Sequence, residues 1–304
     1  MPTRRQFLAA AGFVAVGLAA PSAKVRLGGP IFLQSHDPAE QAAEHRRLGY
    51  SAAYCPGDAS LKDSAHVAKI RDAFARENVV IAEVGAWKNM LDPDAVVRKA
   101  NLDYVTERLA LADEVGARCC VDIAGSYNAK VWYGPHRDNL SVKFFDATVA
   151  NVRQLIDAVK PKRTKFTVEM MGWNLPDNPD NYLRLIKAVD RPAFAVHVDI
   201  CNIINSPEKF YNSADVIEEC FRKLGRWIAS CHAKDLAWPP EMNVHFVEVI
   251  PGRGEVDYGA YLRELAKLPH DAPLMLEHLN KAEEYDEGKR YIQSVAKRVG
   301  VELA

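Results

Sequence analysis

No Cys-x-x-Cys pair occurs in this chain, although it holds six cysteines: Cys55, Cys119, Cys120, Cys201, Cys220 and Cys231. A cysteine zinc site or a dithiol redox motif needs such spacing, so neither is expected. Most of the six fall in apolar stretches that read as strands, which makes them buried thiols rather than a disulfide framework. A positive excess is missing as well. Lys+Arg 39 against Asp+Glu 40 leaves a formal charge of −1, and a general nucleic-acid binder needs a basic surplus or a basic face. No Gly-rich phosphate turn follows the first apolar strand, which counts against an open doubly wound nucleotide fold. No linker, low-complexity tract or short-period repeat interrupts the sequence. No membrane span is expected either: the apolar run from Leu8 to Ala20 has 13 residues, too few to cross a bilayer.

That run fits another use. Thr3-Arg4-Arg5-Gln6-Phe7-Leu8 matches the twin-arginine export pattern, and Ala19, Ala20 and Ala23 offer small residues for cleavage. Residues 1–23 are therefore expected to be a signal peptide, 24–304 the mature domain, and the periplasm its destination. With 48% apolar and 26% charged residues, the 304-residue chain is globular and long enough for one large domain.

Past the leader, short apolar runs alternate with longer amphipathic ones. Strands are expected at 30–35, 51–55, 79–87, 118–123, 165–171, 194–200, 227–232 and 273–278. Helices are expected at 38–48, 61–77, 94–115, 141–159, 178–189, 213–224, 258–268 and 283–298. Near-continuous apolar strands separated by helices make a parallel sheet covered on its faces. Eight such units predict an α/β fold, a single-domain (β/α)8 TIM barrel. Two connections are long, 124–140 after the fourth strand and 235–257 after the seventh. Both leave the C-terminal ends of strands, where barrels build their sites.

Four consecutive strands carry a metal-ligating side chain at or near that end: Glu169, Asp199, His232 and Glu277. Neighbouring strands lie about 4.8 Å apart, so the four can converge on one ion. Three carboxylates and an imidazole make a hard site suited first to Mn²⁺, with Mg²⁺, Co²⁺ or Zn²⁺ as alternatives.

These strand ends and the motifs around them resemble the xylose-isomerase-like TIM-barrel superfamily of sugar isomerases, ketose epimerases and related lyases. The pieces are V-E-M at 168–170, H-V-D at 197–199, C-H-A-K-D at 231–235, P-G-R-G-E-V-D-Y at 251–258 and L-E-H at 276–278. The resemblance implies that Glu169, Asp199, His232 and Glu277 are the metal ligands. One departure stands out. Many ketose epimerases of this group carry Asp-x-x-His after the sixth strand, whereas this chain has Asp199-Ile-Cys-Asn202. The loops WYGPHRDNLS at 132–141, KFTVEMMGWNLPD at 165–177 and NIINSPEKFYN at 202–212 look like the catalytic α subunit of bacterial C-glycoside deglycosidases and their relatives, the 3-oxo-glycoside β-eliminating lyases. That likeness implies a small β partner subunit; a homo-oligomer is expected as well.

The implied chemistry is coherent. A ketone at C3 of a glycoside acidifies the C2 hydrogen; a base removes it, and the aglycone on C1 can then leave. A divalent ion stabilises the enolate oxygen. The same enolate, reprotonated without expulsion, gives isomerisation or epimerisation. A non-catalytic periplasmic sugar-binding protein is the third reading. For the base, His136 in the YGPHRD loop is the first candidate, since imidazole titrates near neutral pH; Glu169 and Glu277 are the alternatives. Glu83, Trp87, Trp173, Arg253 and Lys234 are expected to contact substrate, with Trp132 and Tyr133 as further stacking surfaces. Lys234 is also placed to pair with Asp235. His197, two residues before Asp199, lies on the same strand face and is expected to support a ligand carboxylate.

Overall fold

Eight short strands pair side by side, all parallel, and close into a barrel. A computed structural model describes residues 24–304; the expected leader at 1–23 lies outside the described residues. The strands in chain order are β1 (Leu27–Gly28), β2 (Ala52–Tyr54), β3 (Val80–Gly85), β4 (Cys119–Asp122), β5 (Lys165–Glu169), β6 (Phe194–Val198), β7 (Ile228–Ala233), β8 (Asp235–Ala237), β9 (Val247–Val249) and β10 (Leu274–Leu276). All but β8 and β9 belong to the barrel, which runs β1-β10-β7-β6-β5-β4-β3-β2. The helices are α1 (Pro38–Arg47), α2 (Ser64–Arg76), α3 (Ala95–Val115), α4 (Val142–Val159), α5 (Pro179–Val189), α6 (Pro207–Tyr211), α7 (Ser213–Leu224), α8 (Tyr258–Lys267) and α9 (Ala282–Val299). All but the one-turn α6 make up the outer layer. The expected (β/α)8 barrel is the observed fold.

Helix starts follow the capping chemistry of the sequence. Asp94 accepts the N–H groups of Val96 and Val97 before α3. Ser141 accepts Phe144 N–H before α4. Asn178 accepts Asn181 N–H before α5, whose first residue is Pro179. A side-chain acceptor and an N1 proline are what the unpaired first turn of a helix requires. Each helix then buries one face. In α4 this face is Phe144, Phe145, Thr148, Val152, Leu155 and Ile156, each large apolar side chain contributing about 1.5–3 kcal/mol.

One strand is displaced from the sequence expectation, and several others end one or two residues early. The first strand is not 30–35 but Leu27–Gly28, whose register partners are Leu274, Met275 and Ala52. The apolar residues that drew the assignment, Phe32 and Leu33, are exposed at 49% and 39%; they belong to the loop leaving the strand. The eighth strand ends at Leu276, so Glu277 and His278 stand beyond it.

The long segment after β7 is not plain loop. Within it, β8 and β9 pair antiparallel, with Leu236 opposite Glu248. Its root is tied to Asp235, whose carboxylate accepts the N–H groups of Leu236, Gly252, Gly254 and Val256 at 2.8–3.0 Å. Gly254 is required there: a Cβ would sit 2.3 Å from Asp235 Oδ1. Gly252 adopts φ +98, a region that favours glycine.

The barrel pairs register without interruption except at two places. One residue is skipped between Ala53/Tyr54 and Ile81/Glu83, and another between Val196/His197 and Ile228/Ser230. Such irregularities re-aim side chains and favour functional sites. Here they fall at Glu83, His197 and Ser230.

Candidate metal centre

β5 supplies Glu169, β6 leads into Asp199, β7 supplies His232, and Glu277 follows β10. One ligating atom from each lies within 4.8 Å of the others. His232 Nδ1 is the centre of the group. It lies 2.9 Å from Glu169 Oε1, 2.8 Å from Glu277 Oε1 and 3.5 Å from Asp199 Oδ2. Three carboxylates cannot remain this close in a buried space without a positive charge among them. A hard divalent cation satisfies that demand, and the donor set of three oxygens and one nitrogen fits it.

Below the four lies a polar layer where a barrel normally carries branched apolar side chains. Glu83 is 1% exposed. Its Oε2 is 3.2 Å from His232 Nε2, and its Oε1 is 2.9 Å from His197 Nε2. Ser230 donates its hydroxyl to Oε1. The rings of His197 and His232 stand 4.1 Å apart. With Nε2 directed at Glu83, His232 presents Nδ1 to the three carboxylates, the nitrogen that a cation would take once its proton is displaced. This is the arrangement by which a carboxylate fixes the tautomer of a metal-binding histidine.

The electrostatics follow from burial and these neighbours. Burial would raise every carboxyl here. For Glu169 it prevails, and its pKa lies above the ordinary value, with Glu277 and Asp199 adding to the rise. For Asp199, Lys234 and His232 outweigh burial and hold it far below the usual range. For Glu277, His232 and Lys234 outweigh burial and hold it at about 2. Glu83 is likewise held low, by His232 and His197 against burial. Burial opposes charge on His232, but Glu277, Glu83 and Glu169 raise its pKa well above the ordinary value. Lys234, too, is kept charged against burial by Asp199 and Glu277.

A cavity of about 770 Å³ opens over this centre. Trp87, Trp132, Tyr133 and Trp173 line one part of it; Asn202, Lys234, Glu248, Glu277 and His278 line the polar part. Trp173 Nε1 donates to Tyr133 O at 2.6 Å, which links the loop after β5 to the long loop after β4. Asn202 donates from Nδ2 to Glu169 Oε1 at 3.1 Å, bracing one of the four converging side chains.

Several expected site residues stand elsewhere or serve differently. His136 is not brought to this cavity. It lines a separate one with Tyr127, Arg98 and Lys143, where its Nδ1 accepts Asp138 N–H at the start of a short 3₁₀ turn. Arg253 is committed to Glu287 of α9 through two hydrogen bonds of 2.7 and 2.8 Å and lines a smaller neighbouring cavity. Glu83 lines the cavity, but both its oxygens are occupied by the two imidazoles and Ser230. Lys234 does not pair with Asp235: its Nζ lies 2.9 Å from Asp199 and 2.7 Å from Glu277. His197 supports Glu83 rather than a carboxylate of the four. Trp87 and Trp173 do line the cavity. Sequence reasoning missed Ser230, Glu248 and the use of His278; only the L-E-H motif flagged His278, and nothing local flagged Glu248.

The sequence model of one family, described as xylose isomerase-like TIM barrel, matches residues 6–295. No protein of curated function matches the chain. Among similar solved structures is a xylose isomerase-like TIM-barrel protein from Mycobacterium smegmatis in complex with magnesium. It is 20% identical with TM-score 0.62, over 86% of this chain and 88% of that one. The apo form of 3-keto-D-glucoside 4-epimerase from E. coli is 14% identical with TM-score 0.65, over 89% and 100%. Endonuclease IV from Thermus thermophilus is 14% identical with TM-score 0.66, over 90% and 99%. At these identities the likeness is one of fold.

Proposed function

The chain belongs to the xylose isomerase-like TIM-barrel family, and from that premise we propose that it is a divalent-metal-dependent enzyme of keto-sugar chemistry, which removes the C2 proton of a 3-oxo-glycoside and eliminates the aglycone. The observation that carries this reading is the convergence of Glu169, Asp199, His232 and Glu277 on one point at a cavity with both a polar and an aromatic wall. A divalent cation held by these four, Mn²⁺ first among them, supplies Lewis-acid stabilisation of the charge that develops on the ketone oxygen.

The chain's own residues do the rest. Glu277 is engaged by the Lys234 ammonium at 2.7 Å, whereas Glu169 meets His232 and the neutral amide of Asn202. We assign Glu169 the C2 proton. Asn202 orients it from 3.1 Å. Lys234, charged and buried, balances Asp199 and Glu277. The aromatic wall of Trp87, Trp132, Tyr133 and Trp173 gives a leaving aglycone an apolar surface to stack on, and it shields the reacting carbon from water. Two features favour elimination over simple epimerisation: Asn202 stands where an epimerase imidazole would be, and the cavity exceeds what one sugar ring fills.

A ketose epimerase or isomerase on the same enolate is the second reading. It is supported by fold neighbours such as the 3-keto-D-glucoside 4-epimerase. The deciding experiment is incubation of the Mn²⁺-loaded protein with a 3-oxo-glucoside of a chromogenic phenol. Release of the phenol with an unsaturated keto-sugar is expected. Epimerised or isomerised 3-oxo-glucoside with the phenol still attached would sink the lyase and leave the second reading. His136→Ala serves as the control and should retain turnover.

A further inference from the structure

Five residues other than glycine hold a positive φ among the described residues: Asn78, Trp87, Lys160, Asp190 and His278. Three of them close helices. Lys160 and Asp190 are the C-caps of α4 and α5, and Asn78 follows the cap of α2, donating to Ala75 O. Helix ends commonly use this conformation. The other two, Trp87 at φ +37 and His278 at φ +58, end no helix, and both line the central cavity. A left-handed backbone at a bulky residue is disfavoured, and such positions gather at ligand sites.

His278 is also held by a partner brought from far along the chain. The β8–β9 hairpin delivers Glu248, whose Oε2 lies 2.8 Å from His278 Nδ1. That leaves Nε2. Its nearest carboxylate oxygen, Glu277 Oε2, is 3.7 Å away, beyond hydrogen-bond range. Among the described residues, His278 is the one imidazole lining the cavity. Position 202 holds an asparagine, and His136 opens on a different cavity.

We propose that His278 is a substrate-binding residue: its Nε2 hydrogen-bonds a sugar hydroxyl, and Glu248, by holding Nδ1, fixes the angle at which the ring meets the sugar. The assignment rests on the reading of the cavity as a sugar site. Glu248 and His278 also line the smaller cavity beyond, with Arg253, Asn280 and Glu284, so their contact forms the boundary between the two spaces.

The test separates binding from chemistry. Mn²⁺-loaded protein is titrated with phenyl β-D-glucoside, which lacks the 3-ketone, and binding is followed by the fluorescence of the cavity tryptophans. His278→Asn keeps a residue that tolerates left-handed backbone. It should weaken binding roughly tenfold, the scale of one lost hydrogen bond, with bound manganese and melting temperature unchanged. Glu248→Ala should weaken binding similarly, and Glu248→Gln, which keeps an oxygen to accept the Nδ1 proton, should recover most of it. His278→Asn binding within twofold of wild type would overturn the proposal. Loss of manganese together with affinity would overturn it too, by placing the defect at Glu277. A wild-type protein that binds the glucoside but releases no phenol from the 3-oxo compound would defeat the lyase reading and leave His278 standing. No glucoside binding by the wild type would overturn the assignment of His278, while phenol release from the 3-oxo compound would still decide the lyase reading.

Discussion

Replacing Glu83 with glutamine probes the layer beneath the candidate metal centre without substituting any of the four converging residues. The carboxylate accepts from two imidazoles at 2.9 and 3.2 Å and from Ser230. It is held ionised by His232 and His197 despite complete burial. A glutamine there has one acceptor oxygen and one NH₂ group, so it cannot accept from both rings. One ring must then meet a donor with a donor. If that ring is His232, it gains relief by giving up the proton on Nε2 and keeping the one on Nδ1, among the three carboxylates, so the lone pair needed by a cation is harder to free. Removing such an outer carboxylate costs roughly 10- to 100-fold in metal affinity, or about 1.4–2.8 kcal/mol. Chelator competition for Mn²⁺ measures the loss, with Ser230→Ala as a milder companion that removes one donor and leaves the charge. An affinity of the glutamine variant within twofold of wild type, on folded protein, would refute the claim that Glu83 sets the His232 tautomer.

Two further expectations concern pH and the loop root. His232 holds a proton well above the ordinary imidazole range in the cation-free protein, so a cation must displace that proton. Metal affinity should therefore fall about tenfold per pH unit below that pKa for one released proton. Calorimetry in buffers of different ionisation enthalpy measures the release, and binding with none would contradict the assignment. The same shift stabilises the cation-free fold below the unfolded imidazole value, and the contribution fades as pH rises through the folded one. Gly254→Ala puts a Cβ 2.3 Å from Asp235 Oδ1. It should cost roughly 1–3 kcal/mol, read as a lower melting temperature; an unchanged one would show that the loop yields freely.

The barrel was legible because its signal is repetitive. Eight alternations of buried strand and amphipathic helix admit few folds, and a misplaced first strand does not disturb the count. Phe32 and Leu33 misled locally because apolar residues in a loop leaving a strand read like the strand itself. The meeting of Glu169, Asp199, His232 and Glu277 was legible for a related reason: adjacent parallel strands deliver their C-terminal ends to the same rim. Other parts depend on geometry that no short window carries. Glu83 reaches His232 across the barrel at sites marked by two register skips, and a one-residue skip leaves no trace in composition. Arg253 looked available because its partner Glu287 lies 34 positions away on α9. His136 sat in a phrase that resembled a catalytic loop, but the path of that loop turns the ring onto another cavity. Glu248 was invisible because it reaches the site only when the chain folds back as a hairpin.

Asp235 ties both ends of that hairpin to one carboxylate, binding Leu236 on the way out and Gly252, Gly254 and Val256 on the way back. The segment between is thereby insulated. Its tip, where Met242 is wholly exposed, can lengthen, shorten or change composition without moving the root or the strand position that carries Glu248. That exposed tip is the natural place to graft a label or a recognition sequence that reports on the cavity.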